Sequence, residues 1–507
     1  MAGLLVAGTT SDAGKSVVTT GLCRALARRG VKVAPFKAQN MSNNSMVCGA
    51  GASAATGDGA GASAATGDSA CVEIGRAQWV QAQAARARPE AAMNPVLLKP
   101  GNDRRSHVVL MGQPWGEVSS SDWLEGRRAL AGAAHDAYDD LASRYDVVIA
   151  EGAGSPTEIN LRSGDYVNLG LARHAGLPTV VVGDIDRGGV FAAFLGTVAL
   201  LCPEDQMLIA GFVVNKFRGD PDLLAPGLRD LERLTGRRVY GTLPWHPDVW
   251  LDSEDALDLQ GRRSLRPGAH RVAIARLPRI SNFTDVDALG LEPDLDVVFA
   301  SRPEDLVDAD LVVLPGTRST IADLAWLRSR GLDRAVTAHA AAGKPVLGIC
   351  GGFQMLGRTV RDSEGIEGAV AEVDGLGILD VETNFSAAKV LRLPEGQWLG
   401  ASASGYEIHH GRVTPGPGVE AFLGGARAGQ VFGTMWHGAL ESDALRAGFL
   451  RETLGLGPSG SSFSRARDAR LDLLGDLVEE HLDMDAVLDL IHDGPPDGLP
   501  FLPPGAP

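Results

Sequence analysis

Long apolar runs and an excess of basic charge are both missing from this 507-residue chain. No stretch of 18 consecutive apolar residues occurs, which argues against a membrane-spanning helix. Lysine and arginine number 47 against 63 aspartates and glutamates, a net charge of −16. This balance argues against a protein that binds the phosphate backbone of nucleic acids. The sequence predicts neither a membrane nor a nucleic-acid partner, and it does not specify the oligomeric state.

Cysteines are few and scattered. The chain has five of them, and their spacings match neither a metal-ligand set nor a disulfide framework. Such usage fits a reducing compartment. The glycine-bearing loop described below begins within ten residues of Met1, which leaves no room for a signal peptide. We therefore expect a cytoplasmic protein, and its length suffices for two or more domains with separate cores.

Residues 344–357, KPVLGICGGFQMLG, contain the most specific local pattern. Val346–Ile349 is a short apolar run typical of a buried strand, and Cys350 follows it directly. Two glycines and a helix-spaced segment come next, which is the strand, sharp turn and helix of a nucleophile elbow. The start of a helix favours the thiolate form of a cysteine. We expect an oxyanion hole from the backbone amides of Gly351 and of Gly316, which follows another predicted strand.

A partner for Cys350 lies about ninety residues further on, where His437 stands in the segment MWHG. A cysteine and a histidine far apart in sequence are the pattern of a nucleophilic pair, although most free cysteines are simply small core residues. On these residues the chain resembles the class I glutamine amidotransferases, in which cysteine attacks the side-chain amide of glutamine and ammonia is released. That class usually has a glutamate two residues after the histidine. Here that position is Ala439, Glu441 is not assigned the role, and we expect a two-member Cys–His site.

Residues 3–29 have the order strand, glycine-bearing loop, Lys-Ser pair and helix, which is that of a P-loop. In this arrangement, backbone amides and the helix N-terminus hold phosphates, the lysine reaches the β and γ oxygens, and the serine ligates Mg²⁺. The first glycine of this loop lies one residue further from the Lys-Ser pair than in the usual P-loop spacing. The alternative to a P-loop is a glycine-rich turn in a doubly wound sheet. The sequence of this segment resembles that of the dethiobiotin-synthetase-like ATPases, which activate carboxylates. The residues expected to bind ATP are Thr10, Gly14, Lys15 and Ser16.

A polar block follows the second predicted strand, which ends at Phe36. Amide and hydroxyl side chains so closely spaced cannot all lie in a core, and the alternative is a polar surface loop. Its position at the carboxyl end of a strand beside the phosphate loop favours substrate binding. Lys37 would stand where a second cation steadies the transferring phosphate. The residues expected to contact phosphate or substrate are Lys37, Gln39, Asn40 and Asn44.

Three later strand ends bear polar residues. Glu151 and Asp184 each end an apolar run, which is where a carboxylate for Mg²⁺ is expected beside a P-loop. For Glu151 the alternative is an edge carboxylate near a turn. The resemblance to the ATPase group implies that Asn215, after a late strand, contacts the adenine. Strands alternating with helices, with polar loops at the strand ends, predict an α/β fold with a doubly wound parallel sheet.

Composition divides the chain into domains. We expect an ATP-binding domain over residues 1–250, a linker over 251–270, a glutamine amidotransferase α/β domain over 271–445 and a helical tail over 446–507 with a frayed end. Residues 49–58, GAGASAATGD, repeat identically as 59–68, and without an apolar face this insertion is predicted to be mobile. For Glu407, His409 and His410, the alternative to a role in the site is that they are exposed strand residues.

Six segments and the Cys–His pair together resemble the cobyric acid synthases over nearly the whole chain. The segments are PFKAQNMSNNS, NPVLLKP, EGAGSP, GDIDRGG, NKFRGD and LPGTRST. The resemblance implies amidation of the b, d, e and g carboxylates of adenosylcobyrinic acid a,c-diamide, with nitrogen from glutamine and driving force from ATP and Mg²⁺. The partners implied are therefore small-molecule substrates.

Other readings remain open at this point. Cobyrinic acid a,c-diamide synthases share the two-domain plan but lack the KAQNMSNNS block, and another glutamine-dependent carboxylate amidase is a further alternative. A P-loop partition or regulatory ATPase with a degenerate second domain is opposed by the intact Cys350 and His437. A glutamine-binding or structural module without chemistry is opposed by the intact Lys15, Ser16 and elbow.

Overall fold

The computed structural model describes residues 2–49, 71–100, 105–119, 123–249 and 268–503. Nearly all of the tandem repeat (residues 50–68) and most of the predicted linker (251–267) lie outside these ranges. The chain divides into two compact units, the first from residues within 1–42, 48–252 and 467–507, the second from 43–47 and 253–466. None of the helices in the described ranges has both the length and the apolarity needed to cross a bilayer.

The described residues up to 244 form twelve strands and seven α-helices. The strands are β1 (Ala2–Gly8), β2 (Val33–Phe36), β3 (Gln39–Met41), β4 (Ser45–Gly49), β5 (Cys71–Gly75), β6 (Val96–Pro100), β7 (Arg105–Leu110), β8 (Gln113–Ser119), β9 (Val147–Glu151), β10 (Thr179–Asp184), β11 (Ile209–Phe217) and β12 (Arg238–Pro244). The helices are α1 (Lys15–Arg28), α2 (Arg76–Ala84), α3 (Trp123–Arg144), α4 (Leu169–Ala175), α5 (Val190–Ala199), α6 (Pro203–Gln206) and α7 (Pro221–Thr235).

The first unit is built on a six-stranded parallel sheet in the order β12-β11-β10-β1-β9-β2. Central strand β1 is apolar on both faces: Leu4 and Val6 pack into one hydrophobic cluster, and Leu5 and Ala7 pack into another. Period-two alternation sends these pairs to opposite faces, and both faces need cover because the whole strand is apolar. The predicted doubly wound parallel sheet is confirmed. A smaller sheet has the order β3-β6-β7-β8.

From residue 270 onward, the described residues of the second unit form thirteen strands and four α-helices, and the last nine strands follow one another without an intervening helix. Its strands are β13 (His270–Ala275), β14 (Leu295–Ala300), β15 (Leu311–Leu314), β16 (Val346–Ile349), β17 (Thr359–Asp362), β18 (Ala371–Asp374), β19 (Val381–Arg392), β20 (Glu395–Trp398), β21 (Ala401–Ser404), β22 (Glu407–Pro415), β23 (Glu420–Phe422), β24 (Gly425–Ala428) and β25 (Val431–Thr434). Its helices are α8 (Thr320–Ser329), α9 (Leu332–Ala341), α10 (Gly351–Leu356) and α11 (Asp443–Leu454).

Its main sheet has the order β14-β13-β15-β16-β25-β24-β23. The first five strands of this order are parallel, and the last two are antiparallel additions at one edge. The carboxyl ends of β13, β15, β16 and β25 therefore meet along one edge of the sheet, which is where side chains after these strands converge.

The C-terminal segment, predicted as one helical tail over residues 446–507, is divided between the two units. Most of α12 (Phe463–His481), and all of α13 (Met484–Asp493), belong to the first unit, whereas residues 446–466 belong to the second. Apolar residues of both helices enter the cluster that contains Leu22 of α1, and Arg24 pairs with Asp472 at 2.8 Å. The tail is divided because its apolar stripe completes the cover of the first sheet.

The Pro/Gly-rich end is not frayed as far as residue 503. The Arg237 guanidinium, buried with 1% of its surface exposed, donates to the carbonyl oxygen of Pro500 at 2.6 Å. Leu502 and Gln206 exchange two hydrogen bonds, at 2.8 and 2.9 Å. Residues 500–502 therefore supply one acceptor to a buried charge and two hydrogen bonds to Gln206.

Deleting residues 499–507 should lower the free energy of unfolding by about 2–4 kcal/mol, because one hydrogen bond to the buried charge of Arg237 and two to Gln206 are lost. Urea unfolding followed by circular dichroism measures this change. Deleting only residues 504–507 is the control and should leave stability unchanged. Equal stability of both truncated proteins would contradict a structural role for Pro500.

Candidate active sites

Four neighbouring parallel strands of the second unit each place one residue at the same sheet edge. Asp285 follows β13, Gly316 follows β15, Cys350 follows β16 and His437 follows β25. These positions span more than 150 residues of sequence, yet the parallel order of the strands brings them together.

Cys350 adopts the strained conformation of a nucleophile elbow. Its backbone has φ 48° and ψ −108°, which is unusual for a residue with a side chain and costs roughly 1–3 kcal/mol. Its N–H donates to Thr434 O at 2.8 Å, which ties the turn to β25. A Cβ on Gly352 would lie 1.9 Å from Leu314 O, so only glycine allows the helix to start so close to β15. The predicted elbow has the expected strand–turn–helix geometry.

The predicted oxyanion residues flank the elbow. Gly351 is the first residue of α10, where backbone N–H groups have no acceptor within the helix. A Cβ on Gly316 would lie 2.9 Å from His437 Cε1, so Gly316 is directly beside the His437 imidazole. Their role as oxyanion donors remains a prediction.

His437 has a carboxylate partner, and the expected two-member site is therefore wrong. Nδ1 of His437 lies 2.7 Å from Asp285 Oδ2, and Gly438 N donates to Asp285 Oδ1 at 2.8 Å. Burial lowers the pKa of His437, but the negative charges of Asp285 and Cys350 raise it more, and the net pKa is about 10. The geometry therefore stabilises an imidazolium beside the cysteine, which is the charge state that a thiolate nucleophile requires.

Tyr406 fixes the imidazole from another side. Its ring stacks on His437 with centroids 5.3 Å apart and planes inclined by 24°. Its backbone accepts from His437 N at 2.8 Å and donates to His437 O at 3.0 Å. Stacking and paired backbone bonds leave the ring little freedom to rotate.

Asp285→Asn should lower kcat for glutamine hydrolysis by about 10²–10⁴-fold, because the amide neither fixes the tautomer nor stabilises the imidazolium. The raised pKa of His437 also predicts how stability and activity depend on pH. Protonation of His437 favours the native protein fully below pH 6.5, the ordinary pKa, and this contribution is lost as pH rises through about 10. The alkaline limb of kcat/KM for glutamine should therefore move to lower pH in the variant.

Glu441→Gln is the matched control for Asp285→Asn, because Glu441 is the acid closest in sequence after His437. It should change kcat by less than about threefold. A large loss with Glu441→Gln and a small one with Asp285→Asn would reverse the assignment.

In the first unit, the P-loop curls around Lys15. Gly14, at φ 101°, occupies the left-handed region, and α1 begins at the next residue. Nζ of Lys15 donates to the carbonyl oxygens of Thr10, Ser11 and Gly154 at 2.9, 3.1 and 3.2 Å. The lysine therefore lies across the loop whose amides and helix start are suited to phosphate.

Glu151 is the centre of a buried polar cluster. Oε1 accepts from Ser16 Oγ and from Lys37 Nζ, both at 3.0 Å, and Oε2 accepts from Gln81 Nε2 at 2.5 Å. Burial raises the pKa of Glu151, but the charges of Lys37 and Lys15 and the hydrogen bonds with Lys37 and Gln81 outweigh it, so its pKa lies below the usual range. Because a hydroxyl and an ionised carboxylate meet beside a P-loop, the donors fit Mg²⁺, which prefers oxygen ligands.

The other predicted residues of the first site have separate surroundings. Asp184 pairs with Lys216 Nζ at 2.8 Å, and no contact among the described residues joins it to Ser16 or Glu151. Asn215 donates to Ala13 O at 2.9 Å, so it touches the P-loop.

Residues of the polar block after β2 also contact other parts of the protein. Gln39 accepts from the Tyr166 hydroxyl, and Asn40 donates to Gln78 Oε1 at 2.9 Å. Asn44 is buried in residues 43–47, which group with the second unit.

Two site residues were missed by the sequence reasoning. Asp285 is one of 63 acids, and its only local signal was its position in a polar segment after a predicted strand. Gln81 lies on the buried face of α2, where a glutamine in an alanine-rich helix gives no sign of its partner.

Comparison with known proteins covers both units. The model of the CobQ/CobB/MinD/ParA nucleotide binding domain matches residues 4–258, and that of the CobB/CobQ-like glutamine amidotransferase domain matches residues 271–445. The proteins named cobyric acid synthase from Mycolicibacterium vanbaalenii and Mycolicibacterium gilvum are 80% and 79% identical, over 507 and 511 residues. That from Mycobacterium tuberculosis strain H37Ra is 76% identical over 510 residues. In all three comparisons 100% of this chain and 100% of the relative are covered. The chain belongs to the cobyric acid synthase family.

Proposed function

We propose that this protein converts adenosylcobyrinic acid a,c-diamide to adenosylcobyric acid by amidating the b, d, e and g carboxylates. Each amidation consumes ATP and glutamine, and the reaction takes place in the cytoplasm. The observation that supports the proposal most is that one chain carries both a Cys350–His437–Asp285 elbow and a Lys15–Ser16–Glu151 phosphate loop. Full-length relatives named for cobyric acid synthesis support the choice of substrate.

In the second unit, the Cys350 thiolate attacks the side-chain amide carbon of glutamine. Gly351 and Gly316 are the proposed donors to the resulting oxyanion. His437 then gives its proton to the leaving nitrogen, so ammonia departs and a thioester forms. Water attacks the thioester with His437 as base, releasing glutamate and restoring the cysteine. Asp285 keeps Nδ1 of His437 protonated throughout.

In the first unit, a corrinoid carboxylate is activated. A carboxylate is a poor acyl donor because oxide would have to leave, and phosphorylation by ATP makes phosphate the leaving group. Ammonia then attacks the acyl phosphate, and the amide, ADP and phosphate are the products. Lys15 and Lys37 are the proposed cations beside the transferring phosphoryl group. Ser16, Glu151 and Asp184 are the proposed magnesium ligands, and a bound magnesium ion would neutralise phosphate charge. Thr10, Gly14 and Asn215 are proposed to hold the nucleotide.

Two sites in one chain follow from the chemistry of ammonia. Ammonia is mostly protonated in water near neutral pH and is then not a nucleophile. Releasing it from glutamine within the same protein supplies the unprotonated form. We accordingly propose residues 1–250 as the synthetase part, with Gln39, Asn40 and Asn44 toward the corrinoid, and 271–445 as the glutaminase part.

Mass spectrometry of the corrinoid product tests this proposal. Purified protein with ATP, Mg²⁺, glutamine and adenosylcobyrinic acid a,c-diamide should give a product with four added amides. Omitting ATP or glutamine should leave the substrate unchanged. A product amidated at the a and c positions when cobyrinic acid is supplied, with no reaction of the diamide, would favour the a,c-diamide synthase instead.

A further inference from the structure

Strand β22 begins beside the catalytic histidine. Its first residue, Glu407, directly follows Tyr406, whose backbone exchanges hydrogen bonds with His437. Alternate residues of a strand share a face, so Glu407, His409 and Gly411 point the same way. A Cβ on Gly411 would lie 2.4 Å from Nε2 of Gln354.

Gln354 connects this face to the elbow. Its backbone N–H donates to Cys350 O at 3.0 Å, and its side-chain oxygen accepts from Thr320 Oγ1 at 2.9 Å. The face of β22 that bears Glu407 and His409 therefore borders the first turn of the helix that follows the nucleophile.

The interpretation of Glu407 and His409 as exposed strand residues is wrong. The His409 side chain is 8% exposed and that of Glu407 is 12% exposed. Nδ1 of His409 lies 2.8 Å from Gly411 O, and because a carbonyl oxygen only accepts, Nδ1 carries the hydrogen. In the neutral ring Nε2 is then an acceptor, and no described residue hydrogen-bonds to it.

Glu407 places a second acceptor next to that nitrogen. Its Oε1 lies 3.9 Å from His409 Nε2, too far for a hydrogen bond between them. Two buried acceptors at this separation, one of them a carboxylate, suit a small cation with several N–H donors. A primary ammonium has three such donors and a positive charge, whereas a carboxylate ligand would be repelled by Glu407.

We propose that Glu407 and His409 bind the α-ammonium group of the substrate glutamine while its side-chain amide reaches Cys350. This inference rests on the proposed function, since it assumes that the second unit hydrolyses glutamine. It assigns to the GYEIHHG segment the selection of a free amino acid over other amides.

The test compares glutamine with 4-carbamoylbutanoate, which is glutamine without the α-amino group. Wild-type protein should prefer glutamine by about 10²-fold or more in kcat/KM for ammonia release, since a site built for an N–H group rejects an analogue that lacks it. His409→Ala and Glu407→Gln should each lower kcat/KM for glutamine by about tenfold or more and change that for the analogue by less than about threefold. The preference of both variants for glutamine over the analogue should therefore fall by about tenfold or more.

His410→Ala is the matched control, because this neighbouring histidine contacts Ser386 O through Nδ1 at 3.1 Å and should keep the full preference. Alkylation of Cys350 by iodoacetamide at the wild-type rate shows that the elbow is intact in each variant. Equal losses for glutamine and analogue, or a wild-type protein without preference, would overturn the proposal. So would a preference that depends on the α-carboxylate alone, measured with 4-aminobutanamide.

Ammonium-dependent amidation separates this inference from the proposed function. It should be unchanged in the β22 variants. Its absence from the wild-type protein would count against the proposed synthetase activity and leave the glutamine-binding result to be judged separately.

Discussion

Lys15→Ala should remove both glutamine-dependent and ammonium-dependent amidation, with kcat falling by about 10³-fold or more. Lys15 is 4% exposed, and its ammonium lies across the P-loop on three carbonyl oxygens. Without that charge the transferring phosphoryl group has no counterion at this position, so no acyl phosphate forms for either source of ammonia. ADP release and amide formation are measured with glutamine and with ammonium chloride.

Lys32→Ala is the control for this variant, because Lys32 is an exposed lysine that contacts the Tyr145 ring at 5.2 Å and is part of neither the P-loop nor the buried polar cluster around Glu151. It should retain both activities. Normal ammonium-dependent turnover in Lys15→Ala would show that the nucleotide binds elsewhere.

Cys350→Ser should lower glutamine-dependent amidation by about 10³-fold or more while ammonium-dependent amidation persists. A serine hydroxyl is a far weaker nucleophile than a cysteine sulfur, and His437, whose pKa is raised to about 10, is protonated at neutral pH and cannot accept the hydroxyl proton. The P-loop and the polar cluster around Glu151 belong to the other unit and are not altered by the change. Both activities are measured at saturating ATP.

Cys202→Ser is the matched control, since its sulfur contacts Arg173 Nη2 at 3.0 Å in the first unit and takes no part in the elbow. It should keep both activities. Loss of the ammonium-dependent reaction in Cys350→Ser would reject the separation of glutaminase and synthetase chemistry.

Local patterns in the sequence located both reactive loops. The predicted strand Val346–Ile349 is the observed β16, and the predicted strand over residues 3–7 lies within β1. Such strands are short apolar runs that end in glycine-bearing turns, so neighbouring residues alone specify them. Cys350, Lys15 and Ser16 could be assigned for the same reason.

The partners of these residues were decided by the tertiary structure. Asp285 reaches His437 across 152 residues of sequence only because β13 and β25 are parallel strands of one sheet. Gln81 reaches Glu151 because α2 packs with its buried face toward the strand ends. Neither contact produces a periodic or spacing signal, since the sequence around a buried acid or amide does not indicate which residue it will contact.

The sequence by itself determined the fold class, the positions of the two glycine-bearing loops and the family, because each rests on short segments or on their order along the chain. The tertiary structure decided the third member of the cysteine site, the division of residues 446–507 between the two units and the burial of His409. Those features depend on which surfaces meet after folding, and the free energy of burying a charge or an apolar stripe is set by the partner that covers it.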